Sequence, residues 1–413
     1  MRRLHTLVAD GRLPVRLWDG SMLGPSDPPY RLVLTSPTAV RALLPPSDLR
    51  SGRAYIDGLI DIDGDAVAAL SAVWDLDLVG GLRRRQLARA ADLLRLPAPE
   101  ADGDVGRPVL SGRPHSRARD ADAVRFHYDV GNDFFRLFLD RDLVYSCAYF
   151  LHPDDTLEVA QRRKLDIICR KLRLRPGERL LDVGCGWGSL AIHAAREYGV
   201  GVVGVTLAPQ QAELAAQRVA QAGLSDQVEI RLQDYREVTG HFDAIASVGM
   251  VEHVGPTHMP GYFATLRNLL ADGGRLLNHG ITTGRRLQVT DYSRGPANFV
   301  STYVFPDGGL VPTWHVVREV EQAGLEVRDL EQMRPSYALT LRQWVRRLEA
   351  RWEEAVGLVG ERTARVWRVY MAGSAANFEH GHLDVVQVLG VTPGAHGPLG
   401  RDWMMPPAAP STP

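Results

Sequence analysis

RLLDVGCGWGSL, residues 179–190, is the stretch around which the rest of the chain arranges itself. A short apolar run (Leu180, Leu181, Val183), broken by Asp182, passes into glycines at alternate positions, Gly184, Gly186 and Gly188, and a helical pattern follows. That is a strand entering a tight turn and handing over to a helix N-terminus. Glycine lets the backbone approach a ligand without a Cβ in the way and adopts positive φ freely. A carboxylate at the strand end can fix a ribose hydroxyl or a cationic group. Taken alone, such a turn also fits a dinucleotide fingerprint or an ordinary strand–turn–helix. The spacing here is G-x-G-x-G behind an acid, whereas dinucleotide folds use G-x-G-x-x-G with the acid about 20 residues later. The turn therefore points to S-adenosylmethionine.

Working outward, the pattern alternates strand and helix. FHYDVGNDFFRLFLD reads as helix from its aromatic spacing, and a further helix is expected at 157–172, ahead of the opening strand. After the turn come VGVVGVTL as a buried strand, a helix through PQQAELAAQRVAQAG, and strands at VEIRLQD, FDAIASVG and GRLLNHGIT, with a helix at 261–270. Further helices are expected from Thr313, at 339–356 and at 361–377, then a last strand, DVVQVLG. This succession implies a doubly wound α/β sheet with mostly parallel strands, whose ligands lie at the carboxyl ends of the strands. The polar and aromatic interruption at 284–312 is long enough to be functional.

Before this domain, VRLWDG, YRLVLT and AYIDGLIDIDGD suggest small strands in a mixed N-terminal domain over 1–96. At its end GLRRRQLARAADLLRL (81–96) is amphipathic and basic: a solvated helix face, or an interfacial helix on anionic phospholipid. Residues 97–120 read as a linker, 121–391 as the main domain and 392–413 as a disordered tail.

The chain has 413 residues, 45% hydrophobic and 23% charged, with a net charge of −1, and nothing argues for nucleic acid through bulk electrostatics. Arginine supplies almost all the positive charge, the only lysines being Lys164 and Lys171. Three scattered cysteines, Cys147, Cys169 and Cys185, make no disulfide framework and suit a reducing cytoplasm. No signal peptide and no membrane-spanning apolar run is visible, so a membrane substrate would be met from the surface.

Three strand ends fall where a nucleoside-like cofactor would lie. They are the glycine loop, then Thr206 with Leu207 and Gln211, then Asp234 with Tyr235. Each alone could be a helix cap; in this order they agree on one cofactor.

HYDVGNDFF, YSCAYF, LDVGCGWG, SVGMVEHVG and YVFPDGGLVP together resemble the cyclopropane-fatty-acyl-phospholipid synthases and the related mycolic acid methyltransferases. That group includes relatives making methylene- or methyl-branched chains such as tuberculostearic acid. The similarity spans about 120–390, with a weaker match before it. It implies a class I S-adenosylmethionine methyltransferase fold, Rossmann-like and seven-stranded, with a small mixed N-terminal domain. It also implies that Tyr145 and Ser146 join the glycine loop, Thr206, Leu207, Gln211 and Asp234 around the methyl donor. A bicarbonate ion is implied at Cys147, Glu252, His279 and Tyr337, with a further contact from the backbone at Ile281.

The implied chemistry is an alkene alkylation. An alkene is a poor nucleophile and needs a strong methyl donor held in line. Attack leaves a carbocation, which survives only where water is excluded and negative or π charge faces it. A proton must then leave, and bicarbonate is a small base that His279 and Tyr337 could orient. Without the resemblance, Cys147 reads equally as core, Glu252 as a helix start, His279 as a satisfied strand residue and Tyr337 as packing.

Two departures bear on the product. Family members usually show Cys-Ala-Gly in the last long helix and a basic segment after it; here the region is YMAGSAANFEHGHLDVVQVLG, with Met371, Glu379, His380 and His382. The acidic ribose partner is also absent at the second strand end. Loss of a proton from the new methyl gives a cyclopropane; loss from a chain carbon gives a methylene branch, which a partner reductase could convert to a methyl branch. Both remain open, as does a methyltransferase for a small soluble nucleophile. The expected partners are phospholipid acyl chains, met by a cytoplasmic protein peripheral to the inner face of the cell membrane. A homodimer is allowed, and no metal is expected. An arginine–tryptophan stretch at 342–352 is a second candidate for lipid contact, although a salt-bridged helix explains it equally well.

Overall fold

The computed structural model describes residues 13–43, 47–75, 110–284, 290–291, 298–395, 397 and 400–401. The basic helix expected at 81–96 lies outside them, as do the first part of the 97–120 linker and most of the 392–413 tail. Contacts divide the chain into two units that interleave along the sequence, where the sequence reading draws contiguous ranges. The first takes its residues from Met1–Val109, Pro296–Pro306 and Leu341–His380, and the second from Leu110–Gly295, Asp307–Thr340 and Gly381–Pro413.

In the first unit, strands β1 (Val15–Arg16), β2 (Met22–Leu23), β3 (Tyr30–Leu34) and β4 (Ile60–Gly64) form a sheet in the order β2-β1-β3-β4. AYIDGLIDIDGD is only partly strand. Its first residues close the helix Asp48–Ile56, capped by Ser47, whose side chain accepts from the Arg50 N–H. The helix Glu361–Glu379 supplies two nearly buried arginines. Arg368 donates to the Tyr55 hydroxyl at 2.8 Å and Glu349 at 2.7 Å, and Arg365 to Asp61 at 2.8 Å and the Tyr55 carbonyl at 3.0 Å. The 342–352 stretch belongs here: Trp344 is buried, Arg342 is held by Glu379 and Arg351 by Glu354. The single helix expected at 339–356 is two, Arg334–Ala350 and Trp352–Val359, parted where Arg351 leaves helical geometry at φ −121° and ψ 34°.

The second unit is built on a seven-stranded sheet of β5 (Arg179–Val183), β6 (Gly201–Thr206), β7 (Val228–Leu232), β8 (Phe242–Val248), β9 (Leu270–Thr283), β12 (Glu326–Gln332) and β13 (Leu383–Val391). Between β9 and β12 in sequence, β10 (Thr290–Asp291) and β11 (Gly309–Leu310) make a separate two-stranded ladder. The main order is β12-β13-β9-β8-β5-β6-β7, and only β13 runs against its neighbours. Successive strand residues point to opposite faces, and both faces are covered: Leu180 enters one apolar cluster, Leu181 and Val183 the other. Burying each such side chain contributes about 1.5–3 kcal/mol. The helix Leu157–Lys171 belongs to the Leu180 face, contributing Leu165, Ile168 and Cys169.

Strand β12 is absent from the sequence-based expectation. Its exposure alternates around a buried Asp329, with Glu326 and Arg328 as outward charges of an edge strand and Glu331 on the Asp329 face, where both carboxylates meet buried Lys171. FHYDVGNDFFRLFLD is two helices, Arg117–Tyr128 and Asn132–Phe138, divided at Gly131, whose φ is +92°.

Candidate active site

The donor loop follows from β5. The N–H groups of Gly184 and Cys185 both donate to the Val205 carbonyl, at 2.9 and 3.0 Å, which folds the turn back on β6. Gly184, Gly186 and Gly188 all have positive φ (+76°, +53° and +78°), and Gly188 caps the helix Ser189–Tyr198. The first and second glycines are required for different reasons. A Cβ on Gly184 would sit 2.5 Å from the Met250 sulfur, whereas one on Gly186 would meet nothing within 4 Å. The loop thus leaves open space over Gly186, in front of a helix N-terminus whose N–H groups favour an anion or a lone pair.

Asp182, beneath this loop, is buried with Oδ2 lacking a protein partner. Burial pushes its carboxyl up to about 7 against the opposing pull of Lys164. An orphaned carboxylate oxygen beside an open glycine cradle fits a ligand that brings hydroxyl or cationic groups, as S-adenosylmethionine does.

The other two strand ends are already satisfied within the protein. The Thr206 hydroxyl donates to Gln211 Oε1 at 3.1 Å and accepts from the Ala208 N–H at 3.2 Å. Leu207 is half-buried beside them. Asp234 caps the turn Tyr235–Glu237 through the Arg236 N–H and is clasped by the Arg236 guanidinium at 2.6 and 2.8 Å. Burial alone would raise the Asp234 carboxyl, but Arg236 holds it below its ordinary range. Tyr235 lies edge-on to Tyr262 with Arg236 over its ring.

The HYDVGNDFF motif packs on the loop. Trp187 Nε1 donates to Asn132 Oδ1 at 2.7 Å, and the Trp187 ring lies 4.9 Å from Phe135 and 5.9 Å from Tyr128. Tyr145 packs against the same aromatic group, 5.2 Å from Phe135 and stacked on His127 at 5.7 Å. Each aromatic pair contributes about 0.5–1.5 kcal/mol beyond its burial. Sequence reasoning singles out neither Trp187 nor Asn132; an aromatic between two functional glycines is the signal that carries it.

Cys147, Glu252, His279 and Tyr337 are linked through two strands, β9 and β13, and two helices, Val251–Val254 and Arg334–Ala350. The Cys147 sulfur lies 3.8 Å from the Met333 carbonyl, which also accepts the Tyr337 N–H at 3.1 Å. Met333 donates to the Val385 carbonyl at 2.8 Å, and Val385 stands opposite Ile281 in the β9–β13 ladder. The Ile281 N–H donates to Glu252 Oε1 at 2.6 Å. His279, two residues back on the same face of β9, receives Gln387 Nε2 on its Nδ1 at 3.2 Å. With Nδ1 an acceptor, the ring hydrogen sits on Nε2.

Two polar atoms in this group, Glu252 Oε2 and His279 Nε2, are buried without a protein partner. Burial pushes the Glu252 carboxyl up to about 7, opposed by the Ile281 N–H. Burial, reinforced by Lys164 and Lys171, holds His279 well below the usual imidazole value, so it is neutral. Burial likewise pushes the Cys147 thiol up, leaving it protonated and non-nucleophilic. The two buried, unpartnered atoms can bond a small anion or handle a proton away from water, and the group offers no nucleophile for covalent catalysis. Among the described residues there is no cluster of ligands suited to a metal ion.

The family model for mycolic acid cyclopropane synthetase matches residues 115–388, and the chain belongs to that family. It is an S-adenosylmethionine-dependent methyltransferase of the class I fold. A probable fatty acid methyltransferase of Pseudomonas putida is 41% identical over 395 residues, covering 95% of this chain and 94% of the relative. The cyclopropane-fatty-acyl-phospholipid synthase of Escherichia coli strain K12 is 34% identical over 361 residues, covering 87% of each. Mycolic acid cyclopropane synthase CmaA1, solved with SAH and CTAB, is 35% identical, with a TM-score of 0.62, covering 66% of this chain and 98% of that one.

Proposed function

We propose that the protein transfers a methyl carbon from S-adenosylmethionine to the cis double bond of an unsaturated fatty-acyl chain of a phospholipid. The product is a cyclopropane or a methylene-branched chain, the latter convertible to the 10-methyl type by a partner reductase. The observation that carries this reading is the pair of orphaned buried atoms, Glu252 Oε2 and His279 Nε2, in a group that also includes Cys147 and Tyr337. A small soluble nucleophile would instead need a proton acceptor near water.

S-adenosylmethionine, when bound, supplies an electrophilic methyl on a sulfonium. Asp182 and the Gly184–Gly188 backbone hold it, with Tyr145, Ser146, Thr206, Leu207, Gln211, Asp234 and Tyr235 around it. Thr206 and Asp234 act chiefly by fixing their strand ends, since their side chains are already engaged. Alkylation places positive charge on the acyl chain. The aromatic group around Tyr145 and the Glu252 carboxylate face such charge with π and negative density, and burial excludes the water that would quench it. The ring N–H of neutral His279, the Tyr337 hydroxyl and Cys147 fit a bicarbonate ion, which would supply a base small enough for a dry pocket. Glu252 competes with that ion for the Ile281 N–H, because its Oε1 already accepts from it.

The relatives' names, which include a fatty-acyl-phospholipid synthase, support a lipid substrate. Among the described residues no helix is long and apolar enough to cross a membrane, and in this reading the acyl chain is met at the bilayer surface. The test is mass spectrometry of lipids after incubating the protein with S-adenosylmethionine and vesicles of monounsaturated phospholipid. A mass gain of one CH₂ with a ring or branch fragmentation supports the reading. Unchanged lipid alongside methylation of a soluble amine or phenol overturns it.

A further inference from the structure

The helix Leu157–Lys171 turns two polar side chains, three residues apart, onto the segment that carries Tyr145, Ser146 and Cys147. Gln161 Nε2 donates to the carbonyls of Val144 and Ser146, at 3.2 and 2.9 Å. Lys164 Nζ donates to the Ser146 hydroxyl oxygen at 2.8 Å. Both side chains are buried, Gln161 fully and Lys164 to within 2%. In a chain whose other cations, Lys171 apart, are arginines, this buried position holds a compact ammonium.

The hydrogen bond has a direction. An ammonium cannot accept, so the Ser146 oxygen must be the acceptor and its own hydrogen must point elsewhere. The Ser146 carbonyl is occupied by Gln161, so both bonds from the helix leave that hydroxyl hydrogen as a donor. The charged and titratable groups acting on Lys164 come from every element around it: Asp140, Cys147 and Asp182, with His279 feeling the ammonium in turn. Asp182 lies at the donor loop itself. A buried cation served by a hydroxyl has unused capacity for an anion.

Building on the reading of Ser146 as a methyl-donor residue, we propose that Lys164 is a positioning residue. It orients the Ser146 hydroxyl and adds positive charge for the amino-acid carboxylate of the methyl donor. Burial drags the ammonium down to about 8, against Asp140, Cys147 and Asp182. The contribution should therefore fade as pH rises through that value.

The probe is S-adenosylhomocysteine, titrated calorimetrically into the full chain between pH 6.5 and 9.5, with no lipid present. The wild type should lose affinity above about pH 8. Lys164→Met should bind about tenfold more weakly at pH 7, without the decline at high pH. Lys164→Arg keeps its charge throughout and should also lack that decline. Ser146→Ala should weaken binding comparably, and the Ser146→Ala/Lys164→Met double variant should be no worse than either single. Wild-type affinity in Lys164→Met, or losses that multiply in the double variant, would overturn the proposal. If Lys164→Met fails to fold by circular dichroism, the Lys164→Arg profile decides: a persisting decline above pH 8 overturns it. A wild type that binds no S-adenosylhomocysteine refutes the donor-site assignment itself, a different failure.

Discussion

Glu252→Gln isolates charge from shape at a buried carboxylate with one unpartnered oxygen. The wild-type carboxylate accepts the Ile281 N–H at 2.6 Å, the length of a charge-assisted bond. A glutamine oxygen can accept the same N–H, so the substitution exchanges a bond of about 1.5–3 kcal/mol for one of about 0.5–1.5 kcal/mol. The net stability change should be about 1 kcal/mol or less, because a costly buried ionisable group also disappears. In a protein of this size that moves Tm by about 2–4 °C at most. Turnover should change far more, since removing charge aimed at a developing cation costs about 10²–10³-fold. The pH dependence provides the control. Because the folded carboxyl is raised to about 7 from its usual 4.5, the folded state binds more protons than the unfolded one between those values. Stability from this group is therefore complete below pH 4.5 and falls as pH rises through 7, while activity rises through 7 as the carboxylate forms. The variant should lose both limbs. The assay is S-adenosylhomocysteine release on monounsaturated phospholipid vesicles between pH 5.5 and 8.5, beside thermal melts. Turnover within about threefold of wild type, with the limb near pH 7 intact, would refute a role for the Glu252 charge.

Gln387→Leu removes the amide that holds His279 Nδ1; turnover should fall about tenfold or more with a small change in melting temperature, and an unchanged rate would show that the tautomer is set by something else. Gly184→Ala and Gly186→Ala should separate folding from binding. The first must displace Met250 and should cost about 1–3 kcal/mol of stability. The second pays only for positive φ, about 1–2 kcal/mol, yet should abolish S-adenosylhomocysteine binding because its methyl points into the donor space. In the first unit, Arg368→Met leaves the buried Ile62 carbonyl and Tyr55 hydroxyl without their donor. It should cost about 3–5 kcal/mol by urea denaturation, a loss that a surface arginine such as Arg125 would not show.

What the sequence made legible is what periodicity and spacing encode. The alternating strand–helix pattern yields a sheet whose strands keep their expected places, and the acid before G-x-G-x-G ends β5 with its carboxylate at the loop. What stayed hidden depends on neighbours distant in sequence. Strand β12 escaped because its charges suit an edge, where the apolar pattern is weakest. Thr206 and Asp234 read as free ligands until Gln211 and Arg236 are seen holding them. Gln387 looks like one polar residue in an apolar strand, and only the β9–β13 register sets it opposite His279. Lys164 sits among arginines in an amphipathic helix; its single signal is being one of two lysines.

Strand β13 is the last strand among the described residues, yet it lies between β9 and β12 and supplies both Gln387 and the Val385 carbonyl that anchors Met333. During synthesis the glycine loop, Cys147, Glu252 and His279 all emerge well before it. Until Leu383–Val391 inserts, β12 has no partner in the sheet and the His279 ring has nothing to fix its tautomer. A nascent or clipped chain without β13 therefore carries every one of these side chains but lacks the amide at His279 and the carbonyl that anchors Met333.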